Sequence, residues 1–120
     1  IILYIMNHLK KFSESSEYWT TITSEYFNGC DIVNFHKDEI RKMENLCDEN
    51  HIDMEINRYF YNSSRVDFEK EVSYQILPIR STLYKIEDDY YILAYNTGGR
   101  VEYYKADQLD GLIKLLKHIY

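Results

Sequence analysis

Hydrophobic and polar positions change their period several times along this chain, and the changes mark its elements. Ile2, Ile5, Met6, Leu9 and Phe12 fall three and four apart, which predicts a short first helix; a strand over Ile1–Ile5 is the alternative. From Tyr18 to Phe27 two patterns overlap. Thr20, Thr21, Ile22 and Thr23 favour strand, while Trp19, Ile22 and Tyr26 share a helical face, so that segment stays open. Asn28-Gly29 closes it with turn chemistry. A second helix follows, with Asn34 as its N-cap and Asp38 and Glu39 in its first turn. Ile40, Met43, Leu46 and Cys47 form its apolar stripe, and Asn50 stops it.

The second half reads as strands. Ile52, Met54, Ile56 and Phe60 alternate with Asp53, Glu55, Asn57, Tyr59 and Tyr61, the period of a half-buried strand, with Arg58 interrupting the apolar series. Asn62–Asp67 reads as a polar loop. Val72, Tyr74 and Ile76 suggest a further strand that Pro78 confines to an edge or a bend. Leu83–Ile86 and Tyr90–Tyr95 flank the compact turn Glu87-Asp88-Asp89. Arg100–Lys105 returns after Asn96-Thr97-Gly98-Gly99, whose glycines permit the positive φ of a tight hairpin. Asp107 then caps a C-terminal helix with Leu109, Leu112, Ile113, Leu116 and Ile119 on its apolar face. Together these elements predict one α+β domain over residues 1–120. Its expected form is an antiparallel meander of four to five strands with two or three helices packed on one face.

Composition changes this picture in two ways. At 120 residues, 45% hydrophobic and 28% charged, the chain is long enough to bury one modest core without metals or disulfides. Its 13 tyrosines exceed what a small core needs, and a tyrosine ring suits half-buried sheet positions and contact surfaces equally. The net charge of −6 argues against binding a phosphate backbone, which calls for a basic stripe. Two cysteines make no disulfide framework, and Ile1–Met6 is too short and lacks the basic flank of a secretory signal. No apolar run reaches the roughly 20 residues of a membrane-spanning helix. A reducing, soluble compartment such as the cytoplasm is therefore expected, including the interior of a virion or large complex, with no membrane insertion.

Candidate chemistry is sparse. Cys30, His36, Cys47 and His51 make a two-Cys, two-His set. However, the first pair lacks a knuckle glycine and Cys47 lies on an apolar helix stripe, so zinc is disfavoured. Asp53 and Glu55 share a strand face, and Asp67, Glu69 and Glu71 follow, enough carboxylates for Mg²⁺ or acid–base work but without a convincing strand lysine. There is no nucleophile elbow and no Gly-rich phosphate loop. The balance leans away from an enzyme, and no cofactor is implied.

Tyr103-Tyr104-Lys105-Ala106-Asp107-Gln108-Leu109-Asp110-Gly111-Leu112 resembles the tail of small proteins from large, AT-rich DNA viruses. That resemblance spans under a tenth of the chain and implies no particular activity. The leading expectation is a non-catalytic protein–protein interaction protein, either a component of a larger assembly, viral among them, or a small acidic inhibitor of the immunity type. Tyr59, Tyr61, Tyr90 and Tyr103, with Glu87, Asp88 and Asp89, are its expected contact residues. A metal-dependent hydrolase using the acidic strand face and a single-stranded nucleic-acid binder using the aromatic sheet are the alternatives.

Overall fold

The computed structural model describes residues 18–60, 62–72, 77–87, 89–96 and 98–120. The predicted first helix over Ile2–Phe12 lies outside them, as do Tyr61, Asp88, Thr97 and most of the expected Val72–Ile76 strand. Among the described residues the chain forms seven strands and three helices. In order these are β1 (Thr20–Ile22), α1 (Ser24–Asn28), β2 (Ile32–Val33), α2 (Lys37–Asn50), β3 (Asp53–Phe60), β4 (Ser63–Lys70), β5 (Ile79–Ile86), β6 (Tyr90–Asn96), β7 (Val101–Ala106) and α3 (Leu109–Ile119). All the strands join one antiparallel sheet in the order β1-β7-β6-β5-β4-β3, with β2 pairing the end of β5. The α+β class and the C-terminal helix are as expected; seven strands exceed the four to five predicted.

The extra strands have distinct origins. Asn62–Asp67, expected to be a polar loop, turns at Asn62 and then runs as β4, burying Ser64, Val66 and Phe68 while Arg65, Asp67 and Glu69 point the other way. Its alternation is real, but serine in the first core position disguises it. Strands β1 and β2 are three and two residues long, below what periodicity can register. The ambiguous Tyr18–Phe27 segment is ambiguous because it is both things: β1, then α1 capped by the Thr23 hydroxyl, which accepts the Tyr26 N–H at 3.2 Å.

Opposed residues in neighbouring strands share a face, so the register assigns every side chain. Val66, Leu83, Leu93 and Tyr104 lie in one row on the inner face. There they meet Met43, Leu46 and Cys47 of α2 and Leu109, Leu112, Leu115 and Leu116 of α3 in a single core cluster. Arg65, Tyr84, Ile92 and Lys105 form the corresponding row on the outer face. Ile86 and Ile92 are buried there, apart from the main core. Their cover is α1. Phe27 stacks on Tyr103 with ring centroids 5.0 Å apart and leans on Tyr84 at 4.8 Å. The expectation of helices on one face is thus corrected: α2 and α3 take the inner face, and α1 takes part of the outer one.

The helix ends differ from the sequence expectation by short shifts. His36, not Asn34, is the N-cap of α2, with its backbone N–H donating to Glu39 Oε1 at 2.7 Å; His51 closes the helix in the left-handed region, at φ 55°. Gln108 rather than Asp107 precedes α3. At the far end of α3 the Tyr120 hydroxyl bonds Ser81 Oγ (2.8 Å) and donates to the Phe68 carbonyl (3.1 Å), fastening the helix to β4 and β5.

Gly111 faces the Tyr18 backbone, and a Cβ there would sit 2.6 Å from the Tyr18 carbonyl oxygen. In an open helix, Gly→Ala stabilises by up to ~1 kcal/mol. Here Gly111→Ala is expected to cost about 1–3 kcal/mol in urea denaturation, because backbone must move to admit the methyl. A stabilised variant would contradict that packing.

Candidate functional site

Helix α1 divides the outer face in two. Over β5, β6 and β7 the face is closed by Phe27 and Tyr26; over β3 and β4 no described residue covers it. The open half is a groove of about 540 Å³ lined by Asp53, Glu55, Arg65, Asp67, Glu69, Arg80 and Thr82. Register places these residues in two steps. Glu55, Asp67 and Thr82 stand in one row across β3, β4 and β5, and Asp53, Glu69 and Arg80 in the next.

Asp67 is the organising group. Its carboxylate accepts Thr82 Oγ1 at 2.7 Å, Arg65 Nε at 3.1 Å and a short hydrogen bond from Asn57 Nδ2. Arg65 in turn donates to the Tyr59 phenol and holds its guanidinium 5.3 Å from the centre of that ring. Arg80 reaches Glu69 at 3.5 Å. Each arginine therefore has a carboxylate partner, while Asp53 and Glu55 make none of the described hydrogen bonds or ion pairs. The surface is rigid where Asp67 gathers its donors and negative at its β3 margin.

The expected contact residues that are described occupy different surroundings. Tyr59 is exposed on the open half, joined to Arg65. Tyr103 is half-buried beneath Phe27. Tyr90 is half-buried in a cluster at the surface: its phenol lies 3.2 Å from Cys30 Sγ and 3.5 Å from the Tyr26 phenol, with Lys105 Nζ 4.5 Å from its ring centre. Burial, then the bonds to Cys30 and Tyr26, push that phenol well above the ordinary tyrosine range. Glu87 and Asp89 are exposed on the β5–β6 turn, where the Glu87 N–H donates to the Asp31 carbonyl at 2.9 Å. Tyr61 and Asp88 lie outside the described residues.

The Cys30, His36, Cys47 and His51 set is not gathered either. Cys30 lies beside Tyr90 on the outer face, whereas Cys47 is buried under α2 and its thiol is pushed up to about 11, chiefly by burial. His36 and His51 sit exposed at opposite ends of α2. Among the described residues no three Asp, Glu, His or Cys side chains converge as metal ligands. A second cleft of about 570 Å³, between β1, the end of β7 and the start of α3, has Lys105 and Lys114 balanced by Asp107 and Asp110.

One charged cluster is structural. Lys85, on the inner face of β5, is buried with its Nζ 2.9 Å from Glu39 Oε1 and 3.5 Å from Asp89. Glu39 also accepts a short hydrogen bond from the Tyr91 phenol. These groups tie the first turn of α2 to β5 and β6.

Comparison with protein-family models, with characterised proteins and with solved structures finds no match to this chain. Asp67 is visible in the sequence as a carboxylate, but Arg65 lies in a stretch that reads as a loop, and Arg80 and Thr82 precede the Leu83 start expected for β5. The spacing Arg65, Asp67, Glu69 around Val66 and Phe68 was the available signal.

The Glu39 cluster has a pH consequence. Burial opposes ionisation of Glu39, but the Tyr91 phenol, the His36 N–H and Lys85 outweigh it and hold the carboxyl below its ordinary 4.5. A depressed carboxyl stabilises the fold fully above the unfolded value and loses that contribution as pH falls through the native one. Glu39→Gln is expected to cost about 3 kcal/mol at neutral pH by leaving Lys85 without its closest carboxylate. Below pH 4.5 the wild type should lose stability more steeply than this variant, measured by urea titrations across pH. Parallel curves would contradict the assignment.

Proposed function

We propose that this chain is a non-catalytic interaction protein, an acidic binder or assembly component, whose contact surface is the open half of the outer sheet face. The observation that supports this most is the arrangement of charge there. Asp67 locks Arg65, Asn57 and Thr82 in place, and Asp53 and Glu55 project beside them without a cation of their own. Prearranged polar groups lose little freedom on binding, and unneutralised carboxylates select a basic counterpart. Tyr59 supplies the exposed aromatic ring that contact surfaces favour, already oriented by Arg65. The partner is accordingly another protein presenting lysine or arginine to this face.

The same geometry weighs against base stacking. On the outer face Tyr84 and Tyr103 lie against Phe27, and the exposed Tyr59 ring is already engaged by Arg65, whose charge Asp67 offsets. A reducing compartment belongs to this reading, since Cys30 and Cys47 are both free thiols.

The test is capture of partners by the tagged protein from cells of its source, quantified by mass spectrometry. The double variant Asp53→Lys, Glu55→Lys should lose at least about ten-fold of the captured partner, and Tyr59→Ala several-fold, with thermal unfolding within a few degrees of wild type. Undiminished capture by folded variants would contradict the assignment of this face.

A further inference from the structure

Strand β3 is the last in the sheet order, and its far edge has no partner strand among the described residues. It is long for an edge, eight residues or about 27 Å. Protected edges commonly carry lysine, proline or a central bulge. β3 has neither of those residues, and its irregularity with β4 falls at Arg58–Phe60, leaving Asp53–Asn57 in regular register.

The two sides of this stretch differ in chemistry. Toward the inner face, Met54 is half-buried and Ile56 is 39% exposed, so the apolar core layer runs out to the margin. Toward the outer face stand Asp53 and Glu55, the carboxylates without described partners. An added strand would continue this pattern across its own backbone, with alternate side chains beside Met54 and Ile56 and the others beside Asp53 and Glu55. A second copy fits poorly. Its own β3 offers no cation on the outer side, and each copy carries a net charge of −6.

We propose that β3 binds its partner by strand addition, and that the bound segment is an extended stretch in which lysine or arginine alternates with β-branched apolar residues. This rests on the reading of the outer face as a basic-partner surface and adds backbone pairing to it. The cations lie against Asp53 and Glu55, the apolar residues extend the layer of Met54 and Ile56, and the N–H and C=O groups of β3 that point away from β4 pair with the segment's backbone.

The experiment uses the full chain, isotopically labelled, and two end-blocked peptides, Thr-Lys-Val-Lys-Ile-Lys-Thr and the same sequence with Glu in place of each Lys. With the lysine peptide, β3 amides pointing away from β4 should slow in hydrogen exchange by about ten-fold or more, and the glutamate peptide should leave them unchanged. Ile56→Asp should weaken lysine-peptide binding about ten-fold, and Asp53→Lys with Glu55→Lys should reverse the preference between the peptides. Edge amides already slow in the free protein would overturn the proposal, pointing to a second copy if the protection rises with concentration and to cover by the chain itself if it does not. Peptide-induced shifts at Asp67 and Thr82 without slowing of β3 amides would overturn strand addition and leave the outer-face reading intact. No response up to about 1 mM lysine peptide would also overturn strand addition, while partner capture by the Asp53 and Glu55 variants judges the outer-face reading separately.

Discussion

A sheet can be sealed on one face by helices and left to water on the other, but β6 in this protein is buried on both. Tyr91, Ile92 and Leu93 are consecutive and all buried. Such a run needs two covering layers, because neighbouring strand residues point to opposite faces. Helices α2 and α3 supply one layer over Tyr91 and Leu93; Phe27 of α1 supplies the other through its contacts with Tyr84 and Tyr103 beside Ile92. The rest of the architecture follows from this double cover. Strand β1 must end early so that the chain can cross to the outer face, and a five-residue helix suffices because only the β5–β7 half is closed.

That asymmetry separates folding from contact. The covered half uses its tyrosines as packing. Tyr103 and Tyr84 carry Phe27, Tyr90 joins Cys30 and Tyr26, and on the inner face Tyr91 and Tyr120 hydrogen-bond Glu39 and the β4–β5 backbone region. Many of the 13 tyrosines are thereby explained by a sheet with two clothed faces, where a ring can bury its body and bond through its hydroxyl. The open half uses charge instead. Its carboxylates outnumber its arginines, and only part of them are neutralised from within.

The parts of this fold legible in sequence were those where local chemistry and tertiary role agree. β6, β7 and α3 announce themselves because turn, alternation and apolar stripe coincide, with Gly98 and Gly99 both at positive φ in the hairpin. The Tyr103–Leu112 block is accounted for by the same roles. Tyr104 and Ala106 enter the core, and Gly111 permits close approach to Tyr18. What was illegible depended on distant partners. Ser63 and Ser64 look like turn residues until β3 is placed beside them, and Lys85 looks solvated until Glu39 arrives from 46 positions away. The candidate site suffered most, since Asp53 and Glu55 were visible but the Asp67 network that organises their surroundings exists only across three strands.

The division of the outer face is the central claim, and a paired stability measurement addresses it directly. Urea denaturation of Phe27→Ala should show a loss of about 2–4 kcal/mol, since the ring closes the second layer, while Tyr59→Ala on the open half should stay within about 1 kcal/mol of wild type. Equal losses for the two variants, or a neutral Phe27→Ala, would mean that α1 does not close this face and that the two halves are not distinct.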